Sequence, residues 1–237
     1  MGRAFLFFGI LVANAMPGAW AGPVSGDLSR YAPAVVTVEV RSMYGSSSGT
    51  GFFSSPDGEM ITNYHVMGAV ERDPSAAVAF HLADGSVVRD YRIGKCSARY
   101  GVDLCVLKLP VYPKAYFRVG AGDSDAGLRV GLIGNPGGSG LRGYSGAVLG
   151  NLDVDNVPHV ALSIELVPGM SGSPIFSSDG RLIAVATLWM QDFVPVLRAE
   201  LQPGEKRYLA ISGRKVADFQ REIREFLPVR AYYSPSR

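Results

Sequence analysis

About twelve short runs rich in Val, Ile, Leu and Phe, each closed by Gly, Pro, Asp or Ser, fill the chain after residue 33 and leave room for little but β-structure. They lie at residues 34–41, 51–54, 60–63, 76–82, 87–93 and 104–108, then at 129–133, 143–149, 159–164, 174–176, 182–187 and 208–211. Hairpin signals separate several of them: Pro56-Asp57-Gly58, Ala83-Asp84-Gly85 and Ser178-Asp179-Gly180. The count suits an antiparallel barrel or sandwich, and a break near 110–117 divides it into two groups of about six. Helical spacing occurs once, where Val216, Phe219, Ile223, Phe226 and Leu227 recur at threes and fours until Pro228 stops them. A helix over about 213–227 is therefore expected to dock on a lobe, with 228–237 as a loose tail. The composition agrees, since 47% of the 237 residues are hydrophobic, 19% are charged and 29 are Gly, as in a globular chain with many turns.

Residues 1–21 differ in character. Arg3 precedes an apolar run over 4–15, and Ala19-Trp20-Ala21 has the small-x-small pattern cut by signal peptidases. The run is shorter than the roughly 20 residues of a membrane span, so a cleaved leader is favoured over an uncleaved anchor. The expectation is a mature chain from Gly22, with an N-terminal segment over 22–33, exported to the periplasm or beyond and without an integral membrane segment. A formal net charge of +2 without a Lys/Arg block points to no nucleic-acid partner. Export would let the two cysteines, Cys96 and Cys105, pair across a turn at 98–101. Two buried thiols are the alternative.

Residues 169–174, Gly-Met-Ser-Gly-Ser-Pro, place Ser171 in a tight turn between apolar runs. A serine becomes a nucleophile only with a base, a group that orients the base, and donors for the oxyanion. Of the three histidines, His81 and His159 lie in or at the edge of strand-like runs, whereas His65 ends a strand and opens a turn near the division between the lobes. Asp103 stands just before the run at 104–108, where a carboxylate can point into an inter-lobe cleft. The chain order is then His, Asp, Ser, which differs from the Asp-His-Ser order of subtilisins and the Ser-Asp-His order of α/β-hydrolases.

Six segments, GTGFF, ITNYHV, DLCVLKL, IGNPGG, GYSGAVLG and PGMSGSPIF, occur in this order, and together they resemble the trypsin/chymotrypsin-like serine proteases, closest to the HtrA (Deg) protease domain. The likeness runs over about 35–227. It implies an all-β, chymotrypsin-like fold of two six-stranded antiparallel β-barrels with a C-terminal α-helix, divided at about 34–112, 116–212 and 213–227. It also implies Ser171 as nucleophile, His65 as general acid and base, Asp103 as the residue that orients His65, and the backbone N–H groups of Gly169 and Ser171 as the oxyanion hole. The substrate would be a polypeptide. Its pocket would be lined by Glu165, Leu166, Val167, Ala186, Thr187 and Leu188. A Glu165 carboxylate at the pocket floor would select Lys or Arg; facing away, it leaves an apolar pocket, which Leu166 and Val167 favour.

The chain departs from the HtrA pattern at Met170, usually Asn, and at Ser173, usually a second Gly. Met170 is expected to act through its backbone, and because it is not an acid, no activation by a new N-terminus is expected. No PDZ-like region is expected after the helix, and no trimerising segment is recognisable over 22–30. No residue pattern assigns an oligomeric state.

No cofactor is implied. The Gly-rich stretch at 134–140 lacks the Lys-Ser/Thr ending of a phosphate loop, and the scattered His and Cys have no metal-ligand spacing. Ser145 lacks a nucleophile elbow. The apolar connection at 189–206 reads equally as a packed loop or a lid. A catalytically silent peptide-binding module and an esterase remain the alternatives to an endopeptidase.

Overall fold

The structure is a computed structural model that describes residues 28–97, 102–120, 124–154, 156–187 and 208–233. The leader at 1–21, the turn at 98–101, Leu188 and the connection at 189–206 lie outside the described residues.

Strand β1 (Val35–Ser42) buries Val36, Val38 and Val40 in one core and leaves Thr37 and Glu39 less covered on its other face, the alternation of a sheet closed on one side. It runs antiparallel to β2 (Gly45–Phe53), with Val35 opposite Phe52 and Ser42 opposite Gly45. Next come β3 (Glu59–Thr62), the short helices α1 (Tyr64–Met67) and α2 (Ala69–Arg72), and β4 (Ala77–Leu82). The first half closes with β5 (Val87–Val88), β6 (Arg92–Ser97) and β7 (Leu104–Lys108). Its seven strands form one sheet in the order β5-β4-β1-β2-β3-β7-β6.

This half is thus an open half-barrel of seven strands, where a closed barrel of six was expected. The run at 87–93 is the cause: β5 pairs with β4, β6 pairs with β7, and the chain changes partner between them. At that break the Tyr91 ring meets Phe80 edge-on, 5.3 Å between centroids, and so covers the core at the point where no strand does.

The second half contains β8 (Arg129–Gly134), β9 (Arg142–Val154), β10 (Val157–Leu162), β11 (Pro174–Phe176), β12 (Leu182–Ala186) and β13 (Tyr208–Ser212). They close into a six-stranded barrel, β10-β13-β12-β11-β8-β9, as the sequence predicts for this half. An aromatic cluster joins the halves. Phe117, from the connection, stacks on Tyr31 and meets Phe52 of β2 and Phe176 of β11, with centroid distances of 4.8 to 5.7 Å.

Helix α3 (Gly213–Arg221) starts on Ser212, whose hydroxyl accepts from the Lys215 amide, and buries Val216 and Phe219. It ends at Arg221, short of the expected 227. Beyond it, Ile223 and Phe226 cross to the first half and sit over Gly94, where an added Cβ would lie 2.6 Å from Phe226. Leu227 then exchanges two backbone hydrogen bonds with Ile93, at 2.8 and 2.9 Å. The apolar spacing that reads as one helix therefore serves two surfaces. The expected loose tail instead begins with α4 (Val229–Tyr232), and the Tyr232 hydroxyl accepts from the Cys96 amide at 2.7 Å.

Because Phe117 is fully buried among rings from both halves, Phe117→Ala should destabilise the protein by about 3–5 kcal/mol, read from the midpoint of urea unfolding.

Candidate active site

Ser171 lies in the turn between Val167 and β11, and two glycines determine how that turn is made. Gly169 has φ +91° and Gly172 φ +84°, a region that side chains resist. Space is equally restrictive, since a Cβ would lie 2.1 Å from the Asn135 carbonyl oxygen at Gly169 and 2.0 Å from that of Thr50 at Gly172. The turn is therefore pressed between the 135–137 loop on one side and β2 on the other. Gly137 N–H donates to Pro168 at 2.7 Å, and Gly172 N–H donates to Ala186 at 2.9 Å. Among the described residues, the N–H groups of Gly169 and Ser171 have no acceptor.

Met170, expected to act through its backbone, also works through its side chain. It is fully buried in the second barrel, and its sulfur accepts from the Val167 amide at 3.4 Å. A polar residue there would have to find partners in an apolar core.

Thr50 ties the turn to the first half. Its amide donates to Ser171 C=O at 2.8 Å, its hydroxyl donates to Gly169 C=O at 2.8 Å and accepts from Asn135 N–H at 3.1 Å. Its own carbonyl accepts from the buried Thr62 hydroxyl at 2.7 Å. Nothing in the sequence pattern singles out Thr50 beyond its place in the GTGFF segment.

His65 is carried by helix α1 immediately after β3, where the sequence suggests only a turn. Its amide donates to Asp103 Oδ1 at 2.8 Å, and its Nδ1 faces Asp103 Oδ2 at 2.5 Å. Asp103 precedes β7 and is held from two further directions. Asn63 Nδ2 donates to the Asp103 carbonyl at 2.7 Å, and the Thr187 hydroxyl donates to Oδ2 at 3.2 Å. The predicted pair thus meets in space, with 33% of the His65 side chain and 21% of the Asp103 side chain exposed. Ser171 itself is 4% exposed. Among the described residues no hydrogen bond closes between Ser171 and His65; such bonds often tighten only once substrate is bound. The Ser171 turn nevertheless reaches the base, since a Cβ at Gly172 would sit 3.2 Å from the Asn63 amide, two residues ahead of His65.

The residues expected to line a specificity pocket divide differently. Leu166 and Ala186 are buried with the second barrel's core, Val167 is half-buried and Glu165 is exposed. Thr187 is committed to Asp103, a role that its place after β12 did not announce.

Residues 49–185 match the trypsin-like peptidase domain. The chain belongs to that family. Its curated relatives include a probable periplasmic serine endoprotease, DegP-like, of Marinomonas sp., 30% identical over 145 residues that make up 59% of this chain and 29% of the relative. A protein of the same description from Brucella suis is 32% identical over 60% of this chain and 27% of its own length. The chain thus spans less than a third of the curated relatives it matches. Among solved structures, the HtrA-type protease AlgW with tripeptide superposes at a TM-score of 0.64, with 22% identity over 82% of this chain and 61% of that one. The Rv3671c protease of M. tuberculosis, active form, superposes at 0.67, with 20% identity over 87% and 86%. These likenesses place the half-barrel and barrel of this trypsin-like peptidase domain in a chymotrypsin-like fold.

Thr50→Val should leave the Gly169 carbonyl and the Asn135 amide unpaired inside the junction, so a loss of about 1–3 kcal/mol is expected in chemical unfolding.

Proposed function

We propose that the protein is an exported serine endopeptidase in which His65, Asp103 and Ser171 form the catalytic triad. The carrying observation is the His65–Asp103 pair, whose two carboxylate oxygens are committed to the His65 amide and ring. That arrangement puts the imidazole proton on Nδ1 and leaves Nε2 as the base. Ser171 Oγ attacks the peptide carbonyl carbon, its proton passing to His65 Nε2. The negative oxygen that develops is met by the N–H groups of Gly169 and Ser171, which have no acceptor among the described residues. His65 then protonates the leaving nitrogen, the C–N bond breaks, and water releases the acyl group from Ser171 by the same steps in reverse. Thr187 supports Asp103 in its position and takes no proton.

The exposure of Glu165 supports a carboxylate that faces away from the pocket, and hence apolar side chains before the cut. The apolar leader and the periplasmic description of the relatives support export. Export also supports a Cys96–Cys105 disulfide. The two face each other directly across β6 and β7, with Cα atoms 4.1 Å apart. Paired Cys96→Ser and Cys105→Ser changes should then cost about 2–3 kcal/mol of stability, measured beside the reduced wild type.

The test is labelling by a fluorescent fluorophosphonate. The chain from residue 22 should label, and Ser171→Ala should not. Asp103→Asn should slow peptide hydrolysis by about four orders of magnitude while the fold, read by circular dichroism, is kept. A folded protein that does not label would overturn the proposal in favour of a peptide-binding module.

A further inference from the structure

The first half carries a second recognition feature beside His65. A cleft of about 450 Å³, within the range of ligand-binding clefts, is lined by His65, Tyr64, Tyr44, Arg72 and the start of β2 at Ser46 and Ser47. We infer that this cleft binds a carboxylate on the leaving side of the cleaved bond, with Arg72 as the specificity-determining residue. The inference rests on the endopeptidase reading above.

Position fixes the side. The acyl half of a substrate is held where Ser171, Gly169 and β12 meet, all in the second barrel. The leaving nitrogen is the atom that His65 protonates, so the chain beyond it must continue past His65 over the first half. The cleft is built wholly from that half, by the β1–β2 hairpin and helices α1 and α2. Thr50 of β2 bonds Ser171, and Ser47 lies back along the strand from it by about 10 Å at the usual rise per residue. An extended substrate covers the same distance in about three residues, which places the second or third residue past the cut at the cleft.

The uncommitted guanidinium of Arg72, and not the net charge around the cleft, fixes the chemistry. Two carboxylates near the cleft are already engaged. Glu71 accepts from the Tyr64 hydroxyl. Asp73 accepts from the amides of Met43 and Ser75 and from the Ser75 hydroxyl, and these bonds, the Ser75 hydroxyl foremost, hold its carboxyl below the usual range. Arg72 has no carboxylate partner among the described residues. Its guanidinium lies over the Tyr44 ring at 5.5 Å, which orients its donors. The Asp73–Met43 bond ties the hairpin that carries Tyr44 to the end of α2, so both walls of the cleft are fixed before substrate arrives. An oriented, uncommitted guanidinium on the wall of a preformed cleft suits a carboxylate, as an Asp or Glu side chain or as a free peptide C-terminus.

Internally quenched peptides with one acyl side test this, carrying Glu, Gln or Lys at the second and third positions past the cut. A shorter set ends there with a free or an amidated C-terminus. The wild type should cleave Glu peptides about five-fold faster than Gln peptides in kcat/KM, and Lys peptides more slowly still. That ratio should shrink as salt is raised. A stronger effect in the shorter set would assign the site to C-termini, and one in the longer set to acidic side chains. Arg72→Gln should level the Glu/Gln ratio and Arg72→Glu should reverse it toward Lys, while fluorophosphonate labelling of Ser171 keeps its wild-type rate. Normal labelling with equal cleavage of Glu and Gln peptides, or a preference that survives Arg72→Gln, overturns the inference alone. Absence of both labelling and cleavage overturns the endopeptidase reading and the inference with it.

Discussion

Thr50 ties the two halves together at the site, beside an apolar core that both halves share. Its amide and hydroxyl reach Ser171 and Gly169 in the second barrel, while its carbonyl is held by Thr62 of the first half. In a buried junction each of these polar groups must be paired, because an unpaired one costs about 1–3 kcal/mol. The relative position of the halves at the site is therefore set by hydrogen bonds whose geometry tolerates little movement. The aromatic cluster around Phe117 is part of the shared core and supplies the apolar burial at the same junction. This matters because His65 and Ser171, the proposed base and nucleophile, come from different halves. A slip between the halves would disturb the core they share and separate His65 from Ser171.

The glycines around Ser171 belong to the same constraint. The turn that carries Ser171 is squeezed between the 135–137 loop and β2, so only residues without a side chain fit at 169 and 172. The amides of Gly169 and Ser171, which have no acceptor among the described residues, belong to this crowded turn. Met170 completes the arrangement by filling the second barrel's core between those glycines, so the turn is anchored by an apolar side chain where a polar one is more usual in the resembling proteases. The cost of changing Met170 should thus appear in stability before it appears in the geometry of the amides.

Much of this was legible in the sequence, and the exceptions share a cause. Short runs ending in turn residues report strands whose neighbours are close in the chain, and β8 to β13 follow them in type and order. His65 and Asp103, singled out in the sequence by order and surroundings, meet in space, while the roles proposed for them and for Ser171 rest on the reading given above. The run at 87–93 misled because alternation records burial and carries no record of which strand is the partner. Phe226 and Leu227 misled for a related reason, since helical spacing was satisfied by residues that cover Gly94 and pair with Ile93 in the other half. Thr50 and Thr187 are small polar residues common in strands. Their significance lies in contacts with Gly169 and Asp103, far away in sequence, and no local pattern encodes those.

Asp103 shows how such distant contacts combine. It lies just before β7, with 21% of its side chain exposed. Here Asn63 holds its carbonyl, His65 and Thr187 hold its carboxylate, and the opposed Cys96 and Cys105 close the β6–β7 hairpin behind it. Tyr232, from the last helical turn, then bonds the Cys96 amide. The residues after α3 thus connect through one edge strand to the neighbourhood of Asp103, the proposed triad carboxylate. The order of the imidazole depends on Asp103, and the order of Asp103 on β6. Loosening the final turn at Tyr232 should therefore weaken the orientation of His65 together with the first half's core, against which Tyr232 packs.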